Sequence, residues 1–110
     1  MKKVSIIIVN YKGKKFLETL FESLKKTNYK NYEIIFVDSC SKDGSIEFVR
    51  EYYPYVNAFE LEGDRGFTGT NNFGITKAKG EYILLLNNDV IMPPDWLDRL
   101  VGALETDDEA

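Results

Sequence analysis

The sequence predicts an α/β protein, a Rossmann-like three-layer α/β/α architecture with a mainly parallel sheet. Three observations predict it. Apolar, strand-like runs alternate with segments of helical periodicity along the whole chain, the pattern of parallel strands joined by right-handed crossovers. The run from Tyr82 to Leu86 is five large apolar residues without alternation, as expected of a strand buried on both faces. Polar residues gather just past three of the runs, at Asn10, at Asp38 and at Asn87, Asn88 and Asp89. The carboxyl ends of parallel strands are where such sheets bind ligands.

Each element follows in order. Residues 4–9, rich in β-branched side chains, form a first strand closed by Asn10, Tyr11, Lys12 and Gly13. Phe16, Leu17, Leu20, Phe21 and Leu24 recur at helical spacing, with lysine and glutamate on the opposite side. After a loop at 27–31, residues 32–37 are the second strand and 38–45 the polar turn behind it. Either Ser41 or Asp43 could cap the next helix, which carries Ile46, Phe48, Val49 and Tyr52 and must stop before Pro54. Residues 56–61 form a third, shorter strand. A glycine-bearing loop over 62–70 leads into a short helix over 71–78, ended by Gly80 in a left-handed conformation. The fourth strand comes next; Pro93 and Pro94 close it and introduce a helix from Asp95.

Composition narrows the chemistry. At 110 residues the chain is one domain, residues 1–110, able to bury roughly two thirds of the surface it exposes when unfolded. Fourteen basic against eighteen acidic residues, a net charge of -4, argue against nucleic acid as a partner. The one basic cluster, Lys2, Lys3, Lys12, Lys14 and Lys15, reads as a solvated face. With no histidine there is no Ser-His-Asp triad, no Cys-His pair and no histidine-ligated metal. Cys40 is the sole cysteine, so it has no intrachain disulfide partner; it reads as a turn residue in a reducing compartment. The six residues after Lys2 and Lys3 are too few for a signal peptide or a membrane span, and the expected location is cytoplasmic. Residues 105–110 read as a solvated acidic tail.

If the first strand is central, the ends of strands one, two and four meet at a topological switch point. Asn10, Asp38 and the 87–89 segment then share one crevice. Oxygen donors gathered there suit a phosphate or a hard cation.

Four segments in this order, residues 4–11, 38–45, 66–74 and 80–89, together resemble the amino-terminal half of a family 2 glycosyltransferase, with the closest look of the rhamnosyltransferase-like branch. The resemblance implies a truncated GT-A fold that binds a nucleotide-diphospho-sugar and transfers the sugar, with inversion, to a glycan, lipid or protein acceptor. It implies a divalent cation, Mg²⁺ or Mn²⁺, as cofactor. Asn10 and Tyr11 would then lie at the base of the donor nucleotide, Tyr11 offering a ring face for stacking. Asp38 would accept hydrogen bonds from the base or ribose. Asp43 is open between ligand contact and a role in the turn. Asn72 matches a position near the nucleotide, and Asn71 stands where another branch carries arginine. Asn87, Asn88 and Asp89 occupy the place of the family's Asp-x-Asp motif, with Asp89 as metal ligand and Asn88 as nucleotide-sugar contact.

The departures are equally specific. Only Asp89 of the three motif residues is acidic, so donor phosphates would have to complete the metal's shell. The acceptor-binding half, which supplies the general base, has no counterpart here, and the surface it would cover could drive self-association. In a longer parent protein, contact with the inner face of the membrane is also open. Uridine, thymidine and guanosine donors all stay open, with a preference for a pyrimidine. A non-catalytic nucleotide or nucleotide-sugar binding module is the main alternative. A receiver-like signalling domain ranks below it, because Asn10 and Tyr11 stand where an acidic pair is needed. A dinucleotide-binding domain lacks its Gly-x-Gly-x-x-Gly after the first strand.

Overall fold

The computed structural model describes residues 1–63 and 65–106; Asp64 of the expected glycine-bearing loop and the acidic tail from 107 onward lie outside the described residues. Eight elements alternate without exception: β1 (Val4–Asn10), α1 (Lys14–Leu24), β2 (Tyr32–Asp38), α2 (Ser45–Tyr52), β3 (Asn57–Glu60), α3 (Gly66–Lys77), β4 (Tyr82–Leu86) and α4 (Trp96–Thr106). The four strands form one parallel sheet in the order β3-β2-β1-β4. β1 is therefore central, and the order reverses between β1 and β4. The expected switch point is there.

Alternate residues of the inner strands feed two cores, as the period of two along a strand requires. Ile6, Ile8, Ile34 and Phe36 pack with Leu17, Leu20 and Phe21 of α1, Ile46 and Val49 of α2, and Trp96, Leu97 and Val101 of α4. Ile7, Ile35 and Val37 point the other way, with Leu61, and are covered from the α3 side by Phe73 and Ala78. Three layers result. Each fully buried side chain of this size contributes about 1.5–3 kcal/mol. Among the described residues, every buried side-chain nitrogen or oxygen has a hydrogen-bond partner.

The segment after β4 is pinned to the end of α1. Met92 N–H donates to Ser23 Oγ, Asn28 N–H to the Pro94 carbonyl, and Trp96 Nε1 to Thr27 Oγ1 at 3.0 Å. These bonds fix how the chain leaves β4, and with it the direction of residues 87–89. No helix among the described residues is long and apolar enough to cross a membrane.

Several expectations need correction. β4 is an edge strand and is not buried on both faces: Tyr82, Leu84 and Leu86 pack on the larger core, while Ile83 and Leu85 are 47% and 49% exposed. The cause is that α3 packs mainly over β1 and β2. The expected loop over 66–70 is helix, since α3 begins at Gly66. Glycines and polar residues masked it. Its buried face is Thr70, Asn71 and Gly74 instead of an apolar stripe, and Thr70 and Asn71 bond back to the carbonyls of Gly66 and Phe67.

Gly80 is not left-handed; α3 already ends at Ala78 in extended backbone. Glycine is needed there for close approach. A Cβ on Gly80 would stand 2.7 Å from both Ser5 N and Ser5 Oγ, where Gly80 N–H donates to that hydroxyl. Finally, neither Ser41 nor Asp43 is the N-cap of α2. Gly44 takes that position with φ 88°, and Asp43 works one residue further out.

Candidate functional site

β1 and β2 run in register, so that Asn10 stands opposite Asp38 at their carboxyl ends. Both are buried, at 0% and 1% exposure. A carboxylate can only accept hydrogen bonds, and the surroundings supply donors. Asp38 Oδ1 accepts from Asn10 Nδ2 at 2.9 Å and from Ser41 Oγ, and Oδ2 accepts from Ser41 N–H at 3.1 Å. Ser41 Oγ in turn accepts from Lys12 N–H at 2.7 Å, which joins the turns after the two strands. Asn10 Oδ1 is left free to accept, and Asn88 Nδ2 donates to it at 2.8 Å. One continuous chain of hydrogen bonds thus runs from the end of β2, through the end of β1, to the segment after β4.

Local backbone chemistry holds these turns. Lys12, Cys40 and Lys42 all adopt left-handed conformations, with φ of 52°, 56° and 55°. For residues other than glycine this costs about 1–3 kcal/mol each, and it persists only where the surroundings fix it. Ser41, flanked by two of the three and bonded to Asp38 and Lys12, is the side chain that fixes it. Gly13 is the other enabling residue. A Cβ there would overlap Asn88 Nδ2 and stand 2.6 Å from Asn10 Oδ1, so only glycine leaves room for the Asn88–Asn10 bond.

Above the chain lies a cleft of about 330 Å³ lined by Val9, Tyr11, Phe67, Asn71, Leu85, Leu86, Asn87, Asn88 and Asp89. A second hollow of about 290 Å³ shares Val9, Tyr11 and Phe67 with it and continues to Ser39, Gly66 and Thr70. Tyr11 and Phe67 are 55% and 68% exposed, two ring faces available for stacking between the two hollows. Thr70 Oγ1 lies 3.3 Å from Ser39 Oγ and ties α3 to the end of β2 behind them. A roomier groove of about 640 Å³ between α1 and α2 stands apart from the strand ends. Glu18, Glu22, Glu47 and Glu51 rim it, a poor setting for phosphate.

The site residues expected from sequence fall into three groups. Asn10 and Asp38, both buried, and the half-buried Asn88 form the hydrogen-bonded chain, and Tyr11, Asn88 and Asp89 line the cleft. Asn72 is exposed on α3 and lines neither hollow; its neighbour Asn71 does line the cleft, with its Nδ2 on the Phe67 carbonyl. Asp43 sits in the turn before α2 and accepts from Ser45 N–H at 3.0 Å, from the Ser45 hydroxyl and from Lys14 N–H. Burial alone would raise its carboxyl; the bonds from Ser45 and Lys14 outweigh burial and hold it below the ordinary aspartate value. Ser41, Gly13 and Phe67 also belong to the site, although by residue type they read as a cap, a turn and a loop residue.

Among the described residues no three His, Cys, Asp or Glu side chains gather closely enough to hold a metal ion. Asp89 brings one carboxylate, with amide oxygens of Asn87 and Asn88 adjacent in sequence. That donor set fits a hard cation sharing its shell with substrate phosphates, and does not fit an all-protein cage.

The sequence model described as Glycosyl transferase family 2 matches residues 5–110. Glycosyltransferase GlyG of Streptococcus pneumoniae serotype 4 is 31% identical over 108 residues, which cover 96% of this chain and 36% of GlyG. Among solved structures, S. aureus TarS 1–349 in complex with UDP superposes with a TM-score of 0.83 at 27% identity, over 94% of this chain and 32% of that one. The mannosyltransferase PcManGT from Pyrobaculum calidifontis, in complex with GDP-Man and Mn²⁺, superposes with a TM-score of 0.80 at 25% identity, again over 94% of this chain and 32% of the other. The chain thus spans about a third of the length of these proteins. With a family match that begins in β1 and runs through α4, and a fold that superposes on S. aureus TarS with a TM-score of 0.83, this chain belongs to glycosyl transferase family 2.

Proposed function

We propose that the chain is the donor-binding part, residues 1–110, of an inverting glycosyltransferase, and that the cleft at the β1/β4 switch point holds a nucleotide-diphospho-sugar. The observation that carries this reading is the hydrogen-bonded Asp38–Asn10–Asn88 chain beside a cleft lined by exposed aromatic rings and by Asp89. The rings suit a base. The Asp89 end suits a diphosphate with a divalent cation, Mg²⁺ or Mn²⁺. UDP in TarS and GDP-Man with Mn²⁺ in PcManGT, bound to proteins of the same fold, support the same ligand class.

In the reaction an acceptor hydroxyl oxygen bonds to the anomeric carbon, the bond to the diphosphate breaks, and its electron pair leaves with the diphosphate. The cation supplies charge neutralisation for that leaving group. The hydroxyl proton passes to a general base, and no residue of this chain is assigned that role. The acceptor is a glycan, lipid or protein, and the sugar a hexosyl or rhamnosyl unit. The open β4 face, with Ile83 and Leu85 exposed, favours self-association of the chain. Sedimentation velocity of the parent and of Leu85→Lys tests this, a single monomeric species in both being the contrary result.

Paramagnetic broadening tests the ligand reading. With UDP, dTDP or GDP present, substoichiometric Mn²⁺ should broaden the amide resonances of residues 87–90 first. Broadening centred on the Glu18–Glu51 groove, or none with any nucleotide, would contradict it.

A further inference from the structure

Asn10 is fully buried and spends both ends of its amide on protein partners. That use has a polarity which the chemistry dictates. Asp38 as a carboxylate can only accept, so Asn10 must turn its Nδ2 toward it. Asn10 Oδ1 is thereby turned toward Asn88, and Asn88 must answer with its Nδ2. The Asn88 carbonyl oxygen is then the end of that amide left over, and among the described residues no protein donor reaches it. Asn88 lines the cleft next to Asp89. A charge at the end of β2 therefore fixes which end of an amide, two residues along the chain of bonds, is offered beside the one carboxylate of the motif.

Resting on the donor-binding reading above, we propose that Asn10 is a positioning residue and not a ligand contact. It transmits the polarity of Asp38 to Asn88, so that Asn88 presents an acceptor oxygen to the cation and diphosphate. Gly13 belongs to the same device, because any Cβ there would push Asn88 off Asn10. The consequence is coupling. Nucleoside binding near Asp38 and cation binding beside Asp89 reinforce one another through a single amide, and each loses that reinforcement when the amide is removed.

The test is calorimetric titration with whichever of UDP, dTDP and GDP binds the parent most tightly, with Mn²⁺ and with chelator. The readout is the ratio of the two affinities. In Asn10→Ala, and separately in Gly13→Ala, which keeps the Asn10 and Asp38 side chains, that ratio should fall about tenfold, within the usual range of site-to-site coupling. A merely structural residue would weaken both affinities alike and leave the ratio as in the parent; that result in the folded variants overturns the proposal. Should Asn10→Ala not fold, Gly13→Ala and the parent decide. In the parent, the side-chain amide protons of Asn10 and Asn88 should exchange slowly, and free exchange of Asn88 contradicts the chain of bonds. A parent that binds none of the three nucleotides overturns the donor reading itself, a different failure from an unchanged ratio.

Discussion

Asn10 and Asp38 are partners in the parallel β1/β2 ladder, and the Asn10 amide donates 2.9 Å to the Asp38 carboxylate at a point sealed from solvent. Residues in register on adjacent parallel strands point to the same side of the sheet, so the pair is a direct product of the strand alignment. Removing the carboxylate leaves the Asn10 amide and the Ser41 N–H and hydroxyl without their acceptor. Asp38→Ala should therefore cost about 1–3 kcal/mol of stability and weaken nucleotide binding even with chelator present. Urea denaturation and titration of the same variant check both, and a variant that binds like the parent would remove Asp38 from the site.

Glycine substitutions should separate by surroundings. A Cβ at Gly74 would stand 2.6 Å from Ile7 Cγ2 and 3.3 Å from Val37 Cγ2, where α3 rests on the sheet. Gly74→Ala should destabilise by about 1–3 kcal/mol. Gly102 lies within α4 with nothing inside 4 Å of its Cβ position, and Gly102→Ala should stabilise by about 0.5–1 kcal/mol through helix propensity alone. Thermal denaturation of the two variants should move in opposite directions.

The turn after β2 should tolerate, and even gain from, relief of its backbone. Lys42 is exposed with φ 55°, so Lys42→Gly should leave stability unchanged or raise it by up to about 1 kcal/mol. Cys40→Ser should stay within about 0.5 kcal/mol of the parent, because among the described residues the thiol's hydrogen bond is a long one, 3.5 Å, to the Glu62 carbonyl. A large loss in Cys40→Ser would show that the thiol has a role beyond the turn.

Stability should fall on acidification. Burial would raise the Glu33 carboxyl, but bonds from Ser5 Oγ and Lys79 N–H and the charge of Lys3 hold it below its ordinary value of 4.5; Asp43 is likewise held below 3.8. A depressed folded value means a contribution complete above the unfolded value and lost as pH falls through the folded one. Urea midpoints should thus be flat from neutral pH to about 5 and drop below about 4, with a smaller drop in Glu33→Gln. An equal drop in that variant would clear Glu33 of the effect.

Much of this molecule is legible in its sequence, for local reasons. β1 and β2 carry β-branched runs with polar stops, α1 carries a clean apolar stripe, and the switch point follows once β1 is central. α3 was not legible. Its contact face is Thr70, Asn71 and Gly74, and helical periodicity read from large apolar residues cannot see a face made of small and polar ones. β4 misled for a different reason. Its unbroken apolar run describes what the strand can bury, while the sheet order sets what it does bury. The site was legible as strand ends but not as a connected chain, since Ser41 and Gly13 act through a bond from Lys12 N–H and through space denied to a Cβ. Neither signal is present in residue type alone.

The central claim is a diphosphonucleotide site that needs a cation, and one calorimetric series tests it most directly. The parent is titrated with UDP, dTDP and GDP, each with Mn²⁺ and with chelator at matched ionic strength, beside Asp89→Ala. The account predicts saturable binding of one nucleotide that tightens with Mn²⁺ in the parent and does not tighten in Asp89→Ala. Binding indifferent to Mn²⁺, or the same Mn²⁺ dependence without the Asp89 carboxylate, would contradict it.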